Sequence, residues 1–141
     1  MILKSIPFPN LHKMLTTLTN QSIVLGIISN GRGQFQMDTI MVLGIENYFE
    51  TILISEKEGM KKPDPRIFKK ALQQLNITAN ECIFVGDHPG NDVKASQDAG
   101  MLAVWKKDLQ WEDVQADFII HDLMEIPLIV ENLANRTNYG N

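Results

Sequence analysis

The chain has 141 residues, of which 44% are hydrophobic and 21% charged, with a formal net charge of −4 and a pI of about 5.3. This composition is typical of one globular domain that can bury a core, and it excludes the clustered basic surface that nucleic-acid binding needs. The chain has a single cysteine, Cys82, so it cannot form an internal disulfide. No apolar stretch reaches the roughly 18 to 20 residues of a membrane helix, and no signal-peptide pattern opens the chain. We therefore expect a cytoplasmic protein without membrane or nucleic-acid partners.

Apolar runs of strand length alternate with helical patterns in the first half of the chain. Regularly spaced leucines predict a helix over residues 10–19, and a continuous β-branched run predicts a buried strand over residues 23–28. A second helix is predicted over residues 35–43, with Gly44 as its stop, and a second strand over residues 51–54. Each predicted strand thus follows a predicted helix.

The second half continues this alternation. Asp64 can cap a helix and Pro65 suits its first position, which predicts a helix with an apolar face through Leu75. The other predicted elements follow in order: a strand over 82–85, a helix over 91–99 that ends at Gly100, strands over 101–105 and 118–120, and a helix over 123–133.

Alternating strands and helices predict an α/β fold, a three-layer sandwich in which helices cover both faces of a parallel sheet. We find no internal repeat, so residues 1–141 are predicted to form one domain, with a polar tail from about residue 135 that is expected to fray. Ligands of such sheets bind at the carboxyl ends of the strands, and three loops there carry suitable side chains.

The first loop follows the strand over residues 23–28. Ser29 and Asn30 offer a hydroxyl and an amide, and Gly31 and Gly33 leave backbone N–H groups accessible. Such groups can hold phosphate oxygens, although the same residues are ordinary turn formers. Phosphate binding and a simple turn both stay open for this loop alone.

The second loop contains Lys62, which stands before Pro63-Asp64-Pro65. Its ammonium could neutralise a phosphate or a charge that develops during a reaction. Taken singly, a solvated loop lysine beside Lys61 is the favoured interpretation.

The third loop follows the strand over residues 82–85. Gly86 permits a sharp turn, Asp87 sits at the strand end, and Asp92 opens the next helix. Carboxylates in such places are ligands for Mg²⁺, which takes oxygen donors. The alternative is that Asp87 makes a turn and Asn91 or Asp92 caps the helix. Two aspartates and a glycine at one strand end favour the metal site.

Together the three loops resemble motifs of a known family. In this order, Ser29-Asn30, Lys62-Pro63-Asp64-Pro65 and Gly86-Asp87 with Asn91-Asp92 are similar to the second, third and fourth motifs of the haloacid dehalogenase-like hydrolases. The resemblance covers nearly the whole chain. It includes Pro7-Phe8-Pro9, which is similar to the segment where such proteins return to the core from their cap, and Ala99-Gly100-Met101.

The resemblance implies a Rossmann-type core and a role for each motif. Ser29, Asn30 and Gly31 would bind the phosphoryl group, and Lys62 would stabilise its charge as the one catalytic residue present. Asp87 would bind Mg²⁺, with Asp92 supporting either the metal site or the lysine. The implied parent activity is Mg²⁺-dependent hydrolysis of a small phosphate ester, because dehalogenation needs no metal site.

The family's first motif is missing from the chain. That motif is an Asp-x-Asp pair whose first aspartate attacks the substrate, yet the sequence contains no Asp-x-Asp and no Asp or Glu before Ser29. Covalent catalysis needs this carboxylate, so we expect this chain, a C-terminal portion of the core, to be inactive by itself. The cap, from which substrate specificity largely comes, is missing as well.

The missing motif also leaves a predicted gap in the sheet. The family's first strand lies between the strands that carry the second and fourth motifs, and without it those strands would expose unpaired backbone groups. Three repairs stay open: the two strands close up, residues 1–6 supply a substitute, or a second chain fills the slot in a homodimer.

Two other functional classes compete with the enzyme. A binding or regulatory module could retain phosphate or Mg²⁺ affinity, or be completed by a partner chain. A response-regulator receiver domain is disfavoured, because it needs an acidic pair after its first strand and a lysine after its phosphorylated aspartate, whereas Lys62 precedes Asp87.

Overall fold

The computed structural model describes residues 1–4 and 9–139. Six strands are found there: β1 (Ile2–Leu3), β2 (Gly26–Ser29), β3 (Thr51–Ile54), β4 (Ile83–Gly86), β5 (Leu102–Lys106) and β6 (Phe118–Ile120). They form a single sheet in the order β3-β2-β1-β4-β5-β6, and every neighbouring pair is parallel. The predicted α/β fold with a parallel sheet is confirmed.

The helices lie between the strands as predicted, with some shifts at their ends. They are α1 (Leu11–Asn20), α2 (Gly33–Leu43), α3 (Ser55–Glu58), α4 (Pro65–Leu75), α5 (Ala95–Asp98) and α6 (Ile126–Tyr139). A π-helical turn, Pro89–Lys94, leads directly into α5, and the short α3 was not predicted. The last helix continues to Tyr139, beyond the predicted end at residue 133. Among the described residues, none of the helices combines the length and apolar character needed to span a membrane.

Apolar side chains cover both faces of the sheet. One cluster joins α1 and the start of α6 to the sheet residues Leu3, Ile27 and Val85. The other packs α4, through residues such as Ile67 and Phe68, against the opposite face. The three predicted layers are therefore present, and the carboxyl ends of the strands are left at the edge between them.

The strand β1 fills the central position where the sequence predicts a gap. Ile2 pairs with Gly26 on one side and with Phe84 on the other, and Leu3 pairs with the next residue of each strand. Ile2 and Leu3 are 0% and 2% exposed. Of the three open repairs, the structure shows the second, a substitute from the opening residues. Residues 5–8, which include part of that substitute and most of the cap-return segment, lie outside the described residues.

Candidate functional site

Three neighbouring strands end at one edge of the sheet and bring the candidate residues there. β2 ends at Ser29, β1 is followed by Lys4, and β4 is followed by Asp87. Lys62 reaches this edge from the loop before α4, where it meets Asp92 from the helical turn after β4. The structure therefore brings together the three loops singled out in the sequence, and it adds Lys4 to them.

Lys62 is a buried and ion-paired lysine. It is 2% exposed, and its Nζ lies 2.6 Å from Asp92 Oδ1 and 5.3 Å from the centre of the Phe84 ring. Burial lowers the pKa of Lys62 below its ordinary value, and the charge of Asp92 offsets only part of this shift. The interpretation of Lys62 as a solvated loop lysine is therefore wrong.

Asp92 connects Lys62 to the turn after β4. It is fully buried, and its Oδ2 accepts hydrogen bonds from the backbone N–H groups of Asp87 and His88 at 3.1 and 3.0 Å. Gly86 permits this approach, because a Cβ at that position would lie 2.4 Å from Asp92 Oδ2. Of the two roles that the resemblance implies for Asp92, contact with the lysine is the one seen here.

Lys4 directly follows the central strand β1, at the carboxyl edge of the sheet. Its Nζ lies 2.5 Å from Asp87 Oδ1 and 3.6 Å from Asp92 Oδ2. Burial alone would lower the pKa of Lys4, but the hydrogen bond to Asp87 and the charges of both aspartates together raise it above its ordinary value. The Trp105 indole N–H donates to the Asp87 carbonyl oxygen at 2.9 Å, which helps to fix the backbone of Asp87.

Lys4 was not singled out from the sequence. The available signal was its place directly after the short apolar run Ile2-Leu3, one of the candidates for the substitute strand. A charged residue at the carboxyl end of a central parallel strand points into the region where such folds bind ligands.

Asn30 ties the first loop to the second. Its side-chain amide donates to the carbonyl oxygen of Lys62 at 3.0 Å and accepts from the backbone N–H of Lys62 at 2.9 Å. In the same loop, the backbone N–H of Gly31 donates to Ser55 Oγ at 2.9 Å, and Ser29 is buried at the end of β2. These contacts hold the loop against its neighbours. Phosphate binding by Ser29, Asn30 and Gly31 stays a prediction.

His88 begins the helical segment after β4. Its Nδ1 accepts hydrogen bonds from the backbone N–H groups of Gly90 and Asn91 at 3.1 and 3.0 Å, so that nitrogen carries no proton in this arrangement. The sequence offered Asn91 or Asp92 as the cap, because histidine is not among the common capping residues. The signal for His88 was the following Pro89, which suits the first position of a helix.

The carboxylates of Asp87 and Asp92 do not form a suitable Mg²⁺ site while the Lys4 ammonium is paired with Asp87. Mg²⁺ demands oxygen ligands at about 2.0–2.1 Å in a near-octahedral arrangement. The carboxylate of Asp87 instead faces an ammonium, and both oxygens of Asp92 already accept hydrogen bonds. Within residues 1–4 and 9–139, no three His, Cys, Asp or Glu side chains are grouped so that they could hold a metal ion. Magnesium binding by Asp87 and Asp92 stays a prediction for an arrangement without this lysine.

Known proteins resemble the chain in sequence and in structure. A sequence model described as "Haloacid dehalogenase-like hydrolase" matches residues 3–106. The chain is 35% identical over 130 residues to the glyceraldehyde 3-phosphate phosphatase of Pyrococcus furiosus, covering 87% of this chain and 54% of that protein.

Two solved structures share the fold. The 2-haloacid dehalogenase of Pseudomonas syringae has a TM-score of 0.77 and 32% identity, with coverage of 91% of this chain and 54% of that one. The HAD phosphatase of Thermococcus onnurineus has a TM-score of 0.81 and 27% identity, with coverage of 87% and 57%. The chain spans about half the length of the curated relatives it matches.

Proposed function

We propose that this chain, which belongs to the haloacid dehalogenase-like hydrolase family, forms the phosphate-binding part of a phosphatase core. By itself, we expect the chain to bind a small phosphorylated molecule without hydrolysing it. The observation that carries the proposal is the buried pair of Lys62 and Asp92 at the strand edge, with Lys4 instead of a carboxylate after the central strand. Ammonium groups neutralise phosphate oxygens, but the family's covalent step needs a carboxylate nucleophile.

The phosphatase class is supported by relatives that are named phosphatases, among them the glyceraldehyde 3-phosphate phosphatase described above and a phosphoserine phosphatase of Thermus thermophilus. In a protein that also carries the first motif and the cap, we expect Mg²⁺-dependent hydrolysis of a small phosphate ester. The family resemblance implies that the cap of such a protein would select the substrate.

A titration with inorganic phosphate, followed by amide chemical shifts, tests the binding part of the proposal. We expect shifts at Asn30, Gly31 and Lys62, and weaker binding by Lys62→Gln, because that variant loses the cationic partner of the phosphate. Lys61→Gln is the matched control, since Lys61 is an exposed neighbour with the same charge. Unchanged spectra at phosphate concentrations of about ten millimolar would contradict the proposal.

Turnover of an aryl phosphate with added Mg²⁺ tests the catalytic part. We expect none above background from this chain, because Lys4 directly follows β1 and no aspartate or glutamate occurs before Ser29. Mg²⁺-dependent turnover that Asp87→Ala abolishes would show that the chain is an enzyme after all.

The partner-completed module has less support, because β1 already fills the central position of the sheet. A homodimer and a cytoplasmic location stay predictions. Sedimentation equilibrium of the purified chain checks the first of these, and a mass of one chain would rule the dimer out at the concentrations used.

A further inference from the structure

The ammonium of Lys4 lies where two carboxylates converge. It is 2.5 Å from Asp87 Oδ1 and 3.6 Å from Asp92 Oδ2. The family resemblance assigns Asp87 to a divalent cation and gives Asp92 a supporting role, either at that metal site or at the lysine. A positive charge supplied by the chain therefore stands at the place where a metal ion would need to bind.

The backbone holds Lys4 at this place. Its N–H donates to the carbonyl oxygen of Val85 at 3.0 Å, and the preceding Leu3 is 2% exposed, so its Cα is fixed at the end of the strand. The side chains of Lys4 and Asp87 are 29% and 19% exposed. Partial shielding from water strengthens such a pair relative to an exposed surface pair.

The local charges balance without a metal ion. Lys4 and Lys62 bring two positive charges, and Asp87 and Asp92 bring two negative charges. A divalent cation at the carboxylates would lie beside the Lys4 ammonium and be repelled by it. An oxyanion would instead be attracted by the two ammonium groups wherever it lies closer to them than to the two carboxylates.

From this arrangement we propose that Lys4 takes the place of the divalent cation, so that the chain binds phosphate between the Ser29 loop and two lysines without Mg²⁺. The inference rests on the phosphate binding proposed above, and it makes Lys4 the residue that excludes the metal. An aspartate at this position would reverse the effect, because it would remove the ammonium and add a third oxygen ligand.

A titration with Mg²⁺ alone tests the exclusion. We expect no Mg²⁺-dependent shift of the Asp87 and His88 amide signals in the wild-type chain, and Mg²⁺ binding by Lys4→Asp that is tighter by about tenfold or more. Lys69→Asp is the matched control, since it makes the same charge change at an exposed position of α4. Equal Mg²⁺ affinity of the wild-type chain and Lys4→Asp would overturn the proposal.

A milder variant covers the case in which Lys4→Asp does not fold without metal. Lys4→Gln keeps a hydrogen-bond donor but removes the charge, so we expect Mg²⁺ to raise its melting temperature while leaving that of the wild-type chain unchanged. A melting temperature of Lys4→Gln that is as insensitive to Mg²⁺ as that of the wild-type chain would count against the exclusion.

Phosphate titrations in a chelator and in Mg²⁺ separate this inference from the proposed function. Equal affinities in the two buffers support both. Binding that is tighter in Mg²⁺ by more than about threefold contradicts the inference and leaves the proposed function standing. An absence of phosphate binding in both buffers contradicts the proposed function, while the exclusion of Mg²⁺ is still decided by the comparison of the wild-type chain with Lys4→Asp.

Discussion

At the scale of single residues, the site depends on how closely the Asp92 carboxylate approaches β4. Asp92 Oδ1 accepts a hydrogen bond from Lys62 Nζ, and Asp92 Oδ2 accepts two from backbone N–H groups. The ammonium of Lys4 lies 3.6 Å from Oδ2. The sequence identified Asp92 and Lys62 as candidates because both follow strand ends in the order of the family motifs. The resemblance left two roles open for Asp92, contact with the metal site or contact with Lys62. Sequence order could not decide between them, because it does not show toward which group a side chain turns.

Replacement of Gly86 by alanine tests this packing. The new Cβ would lie 2.4 Å from Asp92 Oδ2 and 2.5 Å from its Cγ, so Gly86→Ala should displace the carboxylate and lower the free energy of unfolding by about 1–3 kcal/mol. Gly90→Ala is the control, because its Cβ would meet His88 Cε1 at an ordinary 3.5 Å. Urea denaturation measures both, and equal stability of the two variants would show that Asp92 is not held this way.

At the scale of elements, sequence signals located the helices well where a common capping residue begins them. Asp64 caps α4 as predicted, accepting from the backbone N–H of Arg66 at 2.9 Å. From the sequence, we did not predict that the helical turn Pro89–Lys94 begins after His88. The signal was Pro89, which stands at the first helical position as Pro65 does in α4. The strand predicted over residues 23–28 begins only at Gly26, because pairing with β1 and β3, which the sequence does not show, sets its start.

The start of the last helical segment carries a pH-dependent contribution to stability. The backbone N–H of Met124 lowers the pKa of Asp122, and the backbone N–H groups of Asp122 and His121 lower the pKa of Glu125. A lowered carboxyl pKa stabilises the folded state above the ordinary pKa, which is 4.5 for Glu125, and this contribution is lost as the pH falls from there through the lowered value.

Glu125→Gln should therefore flatten the acid side of the stability profile. Glutamine keeps the length of the side chain but does not titrate, so the difference in unfolding free energy between wild type and variant should shrink as the pH falls below about 4.5. Urea denaturation over a pH series measures the difference. The exposed Glu112→Gln is the control, and a Glu125→Gln profile parallel to that of the wild type would contradict the assignment.

At the scale of the whole molecule, the sequence predicted the class of fold and the edge at which the motifs meet, but it left the centre of the sheet open. A strand of two residues has no periodicity to detect, and its partners lie 24 or more positions away in the chain. Which segment occupies the centre is decided by backbone pairing and by burial of Ile2 and Leu3 on opposite faces, both of which are tertiary effects.

The burial of Leu3 gives a stability test of the completed sheet. Leu3→Ala should lower the free energy of unfolding by about 2–5 kcal/mol, because it removes a buried side chain from the centre of the core. Leu128→Ala, at a position that is 62% exposed on α6, should change it by less than about 0.5 kcal/mol. If residues 1–4 were a loose tail, the two variants would be equally stable in urea denaturation.

Amide hydrogen exchange at Lys4 and Gly26 tests most directly whether the opening residues complete the sheet and place Lys4 at the site. The Lys4 N–H donates to Val85 and the Gly26 N–H donates to Met1, at 3.0 and 2.9 Å. We predict that both amides exchange as slowly as those in the middle of β4, since all three would open only with the core. Exchange of the Lys4 amide at the rate of an exposed loop would contradict the central strand, and with it the assignment of Lys4 to the phosphate site.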